Sequence, residues 1–182
     1  MERLWTPWRM SYVVGTANAA TGSSTAAESS AGNAGGGGQA LACFLCAKGG
    51  DDAARDRENL IVYRDALAFV VLNLYPYNSG HVLVAPYAHV GDFTALPAEI
   101  GHALFDLTQR TVAALQEEYR PDAFNVGINL GRTAGAGVPD HLHVHVVPRW
   151  DGDTNFMPVL ANTKVLPEAL DQTWERLRRH FM

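Results

Sequence analysis

His141-Leu142-His143-Val144-His145-Val146-Val147 is the stretch of this 182-residue chain from which the rest of the sequence is best interpreted. Histidines alternate here with aliphatic residues, and in a β-strand successive side chains point to opposite faces. The alternation predicts a strand with three imidazoles on one face and the aliphatic side chains toward the core. Imidazole is titratable, nucleophilic and a common metal ligand, so this face predicts either a metal site or direct chemistry.

The sequence around this stretch predicts an antiparallel sheet with one long helix. Four further strands are predicted at residues 60–63, 66–72, 81–85 and 124–129, and the histidine run is the fifth. Apolar residues at helical spacing follow Pro97 and stop at Arg120-Pro121, and a last helix is predicted from Pro167 to about His180. Short turns between strands and one long helix are typical of an α+β fold with about five antiparallel strands.

The first 40 residues differ in composition from the rest. Residues 1–14 form an aromatic arm that includes Trp5 and Trp8, and residues 15–40 are rich in Gly, Ala and Ser. So few side chains there can bury area that we expect a flexible loop, and we place the folded domain at residues 41–182.

Composition and charge exclude several classes of function. The net charge of −5 without a basic stripe argues against nucleic-acid binding. No apolar run is long enough to span a membrane, and the first residues carry no hydrophobic signal core, so we expect a cytoplasmic protein. Cys43 and Cys46 are too close in the sequence for a disulfide bond between them to stabilise a domain. In the cytosol such a pair predicts a metal site or a redox pair.

The segment before the histidines is rich in glycine, with Gly131, Gly135 and Gly137. Glycine lets the backbone approach a ligand and turn its N–H groups toward phosphate oxygens, although such a loop is about as often a plain hairpin connection. Followed directly by three histidines on one face, the loop indicates an anion site beside a neutral imidazole.

Residues 141–147 match the His-φ-His-φ-His-φ-φ motif of the histidine triad (HIT) family, where φ is apolar. Other stretches resemble the bacterial diadenosine tetraphosphate phosphorylase branch of that family. They are residues 4–9, 72–78 and 129–131, Pro148-Arg149-Trp150, Gly152-Asp153 and Asn155-Phe156. The resemblance covers nearly the whole chain except the Gly/Ala/Ser loop, and it implies a HIT-like fold.

The resemblance implies nucleotidyl transfer through a covalent intermediate. His143 would attack the α-phosphorus of a dinucleoside polyphosphate, and inorganic phosphate or water would then take the nucleotidyl group. Neutral Nε2 is nucleophilic near pH 7 when Nδ1 holds the proton, so a backbone carbonyl accepting from Nδ1–H would fix this tautomer. His145 and backbone amides would stabilise charge on the phosphoryl oxygens. The expected reaction is phosphorolysis of diadenosine tetraphosphate to ADP and ATP, with hydrolysis through the same intermediate as the alternative.

The resemblance also implies substrate-binding residues. Asn73 corresponds to a ribose-binding residue, and Asn129 to one near the phosphate or the nucleophile. Backbone amides would come from the glycine loop at Gly135, Ala136 and Gly137. Several branches carry Ser or Thr three residues before the first triad histidine, where Val138 stands here. Side-chain help to the leaving group from this loop is therefore absent, so backbone amides must suffice there, which counts against efficient phosphoramidate cleavage.

Cys43-Phe44-Leu45-Cys46 has the spacing of half a tetrahedral zinc site. Many HIT proteins with such a pair complete the site with a histidine after the third strand and the first triad histidine, here His89 and His141. We expect a structural zinc ion in preference to two free thiols, and no cofactor for catalysis. A redox pair is disfavoured because no thioredoxin-like βαβ pattern surrounds it.

Two alternatives of other classes remain. One is a metalloenzyme in which His141, His143 and His145 are all zinc ligands. The other is a nucleotide-binding module without catalysis. HIT protomers usually pair, and the long helix with its neighbouring strand offers an interface, so we expect a homodimer or larger assembly.

Overall fold

The computed structural model describes residues 43–161 and 168–182. The arm and loop predicted at residues 1–14 and 15–40 lie outside the described residues, as does Pro167. The described residues fall into two compact units. One holds residues 43–153 and 168–182 and contains the sheet, and residues 154–161 belong to the other. The domain boundary at residue 41 stays a prediction.

Five strands and five α-helices are present in the part of the chain that is described. The strands are β1 (Ile61–Arg64), β2 (Ala68–Leu72), β3 (Val82–Pro86), β4 (Ala123–Ile128) and β5 (Val144–Arg149). The helices are α1 (Phe44–Gly49), α2 (Asp56–Asn59), α3 (Ala98–Tyr119), α4 (Met157–Ala161) and α5 (Leu170–Arg178), with short 3₁₀ helices at Ala53–Arg55, Phe93–Ala95 and Arg132–Ala134. Within residues 43–161 and 168–182, no helix combines the length and apolar character needed to cross a membrane.

The strands form one sheet in the order β1-β2-β3-β5-β4, and every neighbouring pair is antiparallel. This confirms the predicted α+β fold with five antiparallel strands. Although α3 and β4 separate β3 from β5 in the chain, the two strands are neighbours in the sheet. His145 of β5 lies opposite Leu83 of β3 on one side and opposite Gly127 of β4 on the other. Residues from three distant parts of the sequence therefore meet around His145.

The two faces of the sheet are covered by different elements. Val84 and Val146 lie on the face that packs against Leu107 of α3 and Leu177 of α5 in the larger core. The opposite face contributes residues such as Phe69, Val71 and Leu83 to a smaller core with Leu45 of α1. Directly paired residues share a face, so His145 and Gly127 lie on the same face as Leu83. The histidine site is thus on the side of the sheet that α1 covers, away from α3.

The histidine run differs from the prediction in one respect. β5 begins at Val144, so only His145 lies within the strand, and the predicted strand across residues 141–147 is too long at its start. The physical reason is a different backbone partner, because the Leu142 N–H donates to the Val90 carbonyl at 2.8 Å. The first two histidines are therefore held against the segment that follows β3, before the sheet pairing begins.

Candidate functional site

Four side chains that are distant in the sequence meet beside α1, and we call them the Cys/His cluster. The Cys46 Sγ lies 3.2 Å from the His89 Nδ1 and 3.4 Å from the His141 Nδ1, and the Cys43 Sγ lies 3.3 Å from the His141 Nδ1. The two Nδ1 atoms are 3.3 Å apart, and all four ligand atoms lie within 4.8 Å of one another. The structure brings together the four residues that the sequence analysis selected as metal ligands.

The geometry of the Cys/His cluster fits a tetrahedral metal ion. Sulfur at ~2.3 Å and nitrogen at ~2.0 Å from a tetrahedral Zn²⁺ place neighbouring ligand atoms ~3.3–3.8 Å apart. The His141 Nε2 lies 2.8 Å from the Pro86 carbonyl oxygen. A carbonyl can only accept, so Nε2 carries the proton and Nδ1 keeps the lone pair that a metal needs. Burial and the neighbouring Cys43 raise the pKa of Cys46 to about 11, so two thiolates here require a compensating cation.

The chain crossing that forms the Cys/His cluster depends on a glycine. A Cβ atom on Gly91 would lie 2.6 Å from the Asp140 Cα and 2.8 Å from the Pro139 carbonyl oxygen. Only glycine therefore lets the segment after β3 pass this close to the segment before His141. The crossing brings His89 to His141, and the sequence alone gave no sign of it.

His143 is held in a single tautomer. Its Nδ1 lies 2.8 Å from the carbonyl oxygen of His141. The carbonyl accepts, so Nδ1 carries the proton and Nε2 keeps its lone pair. The side chain is buried, and this burial holds the pKa of His143 below its ordinary value although the bond to the carbonyl acts in the opposite direction. The imidazole is neutral near pH 7, with Nε2 as a nucleophilic atom.

His81, His143 and His145 form a second group, which we call the catalytic cluster after the role that we propose for it. The Tyr77 backbone N–H donates to the His81 Nδ1 at 3.0 Å, and the His81 Nε2 lies 3.0 Å from the His145 Nδ1. Burial and the neighbouring imidazoles lower the pKa of His81 to about 3, so His81 is neutral. Its proton sits on Nε2 and is donated to the His145 Nδ1. The His145 Nδ1 accepts this hydrogen bond, so the proton of the His145 ring is on Nε2.

The sequence did not decide whether His81 belongs to the site. Its position becomes clear only when β3 is paired with β5, because residues 87–143, which include α3 and β4, separate the two strands in the chain. Asn73, the predicted ribose ligand, lies against His81, with its Nδ2 3.3 Å and 3.4 Å from the two ring nitrogens. The structure therefore places Asn73 at the edge of the catalytic cluster.

A cavity of about 220 Å³ lies on the other side of His145. Its walls are Tyr77, His145 and residues 125–129, so Asn129, the predicted phosphate ligand, lines it. The Tyr77 ring lies nearly parallel to the His145 ring, with the ring centroids 6.1 Å apart and an angle of 14° between the planes. We call this space the β4 cavity.

The glycine loop between β4 and β5 uses some of its own amides. The Gly135 N–H donates to the Arg132 carbonyl at 2.9 Å, and the Ala136 N–H donates to the Gly131 carbonyl at 3.3 Å. Gly135 has a φ of +90°, which a residue with a side chain rarely adopts. These two amides are engaged in the turns of the loop, and the phosphate-binding role predicted for Gly135, Ala136 and Gly137 stays a prediction.

The three triad histidines do not converge on a single point. His141 turns its Nδ1 to the Cys/His cluster, whereas Nδ1 of His143 donates to a backbone carbonyl and Nδ1 of His145 accepts from His81. This arrangement does not support a metal site built from all three.

A family model of the HIT domain matches residues 54–152. Among curated proteins, the chain is 38% identical over 173 residues to a protein named AP-4-A phosphorylase from Mycobacterium tuberculosis (strain ATCC 25618 / H37Rv), covering 95% of this chain and 80% of that protein. It is also 34% identical over 93 residues to the uncharacterized HIT-like protein MJ0866 of Methanocaldococcus jannaschii, covering 51% of this chain and 70% of that protein.

Two solved structures resemble the chain in fold. A Zn-bound histidine triad family protein from Mycobacterium smegmatis has a TM-score of 0.61 at 29% identity, covering 78% of this chain and 94% of that one. A hypothetical histidine triad nucleotide-binding protein, ST2152 from Sulfolobus tokodaii, has a TM-score of 0.59 at 26% identity, covering 76% of this chain and 91% of that one.

Proposed function

The chain belongs to the HIT domain family, and on that premise we propose that it is a nucleotidyl transferase that cleaves dinucleoside polyphosphates at the α-phosphate. The observation that carries the proposal is the 2.8 Å hydrogen bond from the His143 Nδ1 to the His141 carbonyl, which leaves Nε2 as the nucleophile. The relative named AP-4-A phosphorylase supports diadenosine tetraphosphate as the substrate and inorganic phosphate as the acceptor.

In the first half-reaction the His143 Nε2 attacks the α-phosphorus. A P–N bond forms, the P–O bond to the rest of the polyphosphate breaks, and its electron pair leaves with the bridging oxygen. The Nε2–H of His145 stabilises this oxygen by a hydrogen bond. The product is a nucleotidyl-His143 intermediate that still holds the proton on Nδ1.

The hydrogen-bond chain of the catalytic cluster favours a polyphosphate over a phosphoramidate. Neutral His145 can donate a hydrogen bond through Nε2, but it has no spare proton to give away, and His81 behind it is neutral as well. A polyphosphate leaves as a stable anion and needs only the hydrogen bond. An amine must be protonated as it leaves, and Val138 stands where other family branches carry a hydroxyl.

The substrate-binding residues follow the same proposal. Asn73, beside His81, binds the ribose of the nucleotide that is transferred. Asn129, in the wall of the β4 cavity, binds the phosphate chain together with backbone amides of Gly135, Ala136 and Gly137. Since Gly135 and Ala136 donate within the loop, substrate binding at these amides requires those turns to open.

We propose that the Cys/His cluster holds a structural zinc ion, ligated by Cys43, Cys46, His89 and His141. Its geometry supports this, as does the description of the Mycobacterium smegmatis structure as Zn-bound. Zinc bound there would hold His141, whose carbonyl orients His143, and no cofactor takes part in the chemistry.

We propose a homodimer or larger assembly of a cytoplasmic protein. β4 is an edge strand with Val126 exposed, and Phe105 on α3 is 65% exposed, so both predicted interface elements present apolar surface. Two reduced thiols in one cluster suit a reducing compartment. A monomeric mass in light scattering at micromolar concentration would refute the assembly.

Quenched-flow mass spectrometry tests the proposed function. After brief mixing with diadenosine tetraphosphate, we expect a nucleotidyl adduct on His143, and no adduct on a His143→Ala variant. Titration of phosphate then identifies the acceptor, with formation of nucleoside diphosphate rising with phosphate concentration. AMP release that does not depend on phosphate would overturn the phosphorylase assignment, and the lack of any adduct would overturn the mechanism.

A further inference from the structure

The β4 cavity shares His145 with the catalytic cluster, where the second substrate of the proposed reaction must arrive. In an in-line displacement the attacking and leaving groups lie on opposite sides of the phosphorus. His143 holds one side, so the polyphosphate leaves, and the acceptor later arrives, on the other. His145 lines the β4 cavity and is also the neighbour of His143, with ring centroids 5.0 Å apart. The cavity therefore adjoins the imidazole next to His143.

Asn125, in the wall of this cavity, has its amide orientation set by an arginine. The Arg149 Nη1 donates to the Asn125 Oδ1 at 2.7 Å. Arg149 is itself held by Asp153, which accepts from its Nε at 2.6 Å and from its Nη2 at 2.8 Å. A guanidinium has no acceptor, so the oxygen of Asn125 must face Arg149, and the Nδ2 donors are what Asn125 can offer a ligand.

The cavity contains donors but no general base. The described residues that line it include amides, aliphatic groups, Tyr77 and His145, and none of them is acidic. The Nδ1 of His145 accepts from His81, and its Nε2 carries a proton, so neither nitrogen can take a proton from water. Water must lose a proton to become a stable phosphoryl oxygen, whereas hydrogen phosphate already presents an ionised oxygen.

From these observations we propose that the β4 cavity is the acceptor-phosphate subsite and that Asn125 is the residue that favours phosphate over water. This inference rests on the proposed function. An oxygen of HPO₄²⁻ forms a P–O bond to the nucleotidyl phosphorus, the P–Nε2 bond breaks, and its electron pair returns to Nε2. The products are a nucleoside diphosphate and neutral His143, whose Nδ1 has kept its proton throughout. The Asn125 Nδ2 and the His145 Nε2 donate to the phosphate oxygens, and Arg149 positions Asn125.

The test replaces the donor and measures the acceptor step alone. Asn125→Ala removes one donor to an anion, and we expect the KM for phosphate to rise about tenfold. Asn125→Asp places a carboxylate where phosphate binds and also supplies a base. We expect a larger rise in KM and a higher ratio of nucleoside monophosphate to diphosphate among the products. A matched control is Gln109→Glu, which makes the same charge change on the exposed side of α3, across the sheet from the site.

The two half-reactions are measured separately. Mass spectrometry of the His143 adduct follows the first, and the decay of this adduct with and without phosphate follows the second. If the adduct forms but both Asn125 variants keep the wild-type KM for phosphate and the wild-type product ratio within twofold, the subsite assignment is overturned and the proposed function stands. If wild-type protein forms no adduct, the proposed function fails and this inference fails with it.

Discussion

The Cys/His cluster and the catalytic cluster both contain histidines of the motif at residues 141–147, yet the ring nitrogens of the two clusters face different kinds of partner. In the Cys/His cluster the Nδ1 lone pair of His141 faces the Nδ1 of His89 and the two Sγ atoms, all within 4.8 Å of one another. In the catalytic cluster each contact has a proton donor and an acceptor, in one direction from Tyr77 through His81 to His145. The first arrangement suits a cation, and the second holds each imidazole in one tautomer.

The difference arises from which ring nitrogen is bound by a backbone group. In His141 the Pro86 carbonyl accepts a hydrogen bond from Nε2–H, so the lone pair is on Nδ1, which faces the proposed zinc position. In His143 the His141 carbonyl accepts a hydrogen bond from Nδ1–H, so the lone pair is on Nε2, the atom that we propose as the nucleophile. His141 thus takes part in both clusters, through its ring in one and through its carbonyl in the other. Three substitutions and one change of pH should affect the two clusters differently, and the largest effect is expected for His143.

Replacing His143 by alanine should abolish the chemistry and leave the Cys/His cluster intact. We expect turnover of diadenosine tetraphosphate to fall by about 10⁴-fold or more because the nucleophile is lost. Zinc content, measured by elemental mass spectrometry, should match that of wild type. His102→Ala, at an exposed position on α3, serves as the control. Loss of zinc from the His143 variant would show that the two clusters are not separable.

Replacing Cys46 by serine should have its main effect on stability. A ligand present at ~1,000 times its Kd stabilises the fold by ~4 kcal/mol, so loss of tight zinc binding should lower the Tm by about 10 °C in a protein of this size. Differential scanning calorimetry with and without a chelator measures this effect. The chelator should lower the Tm of wild type and leave that of the variant unchanged; equal Tm values in all four samples would contradict a structural metal.

Replacing His81 by phenylalanine should impair catalysis while substrate still binds. The ring volume is kept, but the proton donated to the His145 Nδ1 is lost, so His145 is no longer held with its proton on Nε2. We expect kcat to fall about 100-fold with a smaller change in KM. Steady-state kinetics test this, with His102→Phe as the control. A rise in KM alone, with kcat unchanged, would contradict the positioning role.

Acid should destabilise the catalytic cluster through His81. Its pKa is about 3 in the folded protein and ~6.5 in an unfolded chain, so below pH 6.5 the unfolded chain binds more protons. The free energy of unfolding should therefore decrease by about 2 kcal/mol between pH 7 and pH 5 from this group alone. Urea unfolding of wild type and His81→Phe at both pH values isolates the contribution. Equal slopes for the two proteins would show that His81 is not buried as a neutral imidazole. Its polar surroundings are His143, His145, Asn73 and the Tyr77 backbone.

Much of the fold and part of the site could be predicted from the sequence because their patterns are local. The apolar spacing after Pro97 predicted the helix observed at Ala98–Tyr119. The spacing of Cys43 and Cys46 indicated half of a ligand set, and the family resemblance supplied His89 and His141 as the other half. In contrast, the close approach at Gly91 depends on a crossing between two segments that are 48 residues apart. Such a crossing leaves no pattern among neighbouring residues of the sequence.

The sequence by itself determined that this is a HIT protein with an intact histidine motif, because residues 141–147 match the motif of the family and further stretches resemble one of its branches. Only the tertiary structure decided what each histidine does. A tautomer depends on which donor or acceptor lies within about 3 Å of each nitrogen. Those partners come from the carbonyl of Pro86, from His81 of the chain segment before β3 and from Tyr77. Folding brings them to the histidines, and the pairing of β4 with β5 places Asn125 in the wall of the cavity that His145 also lines.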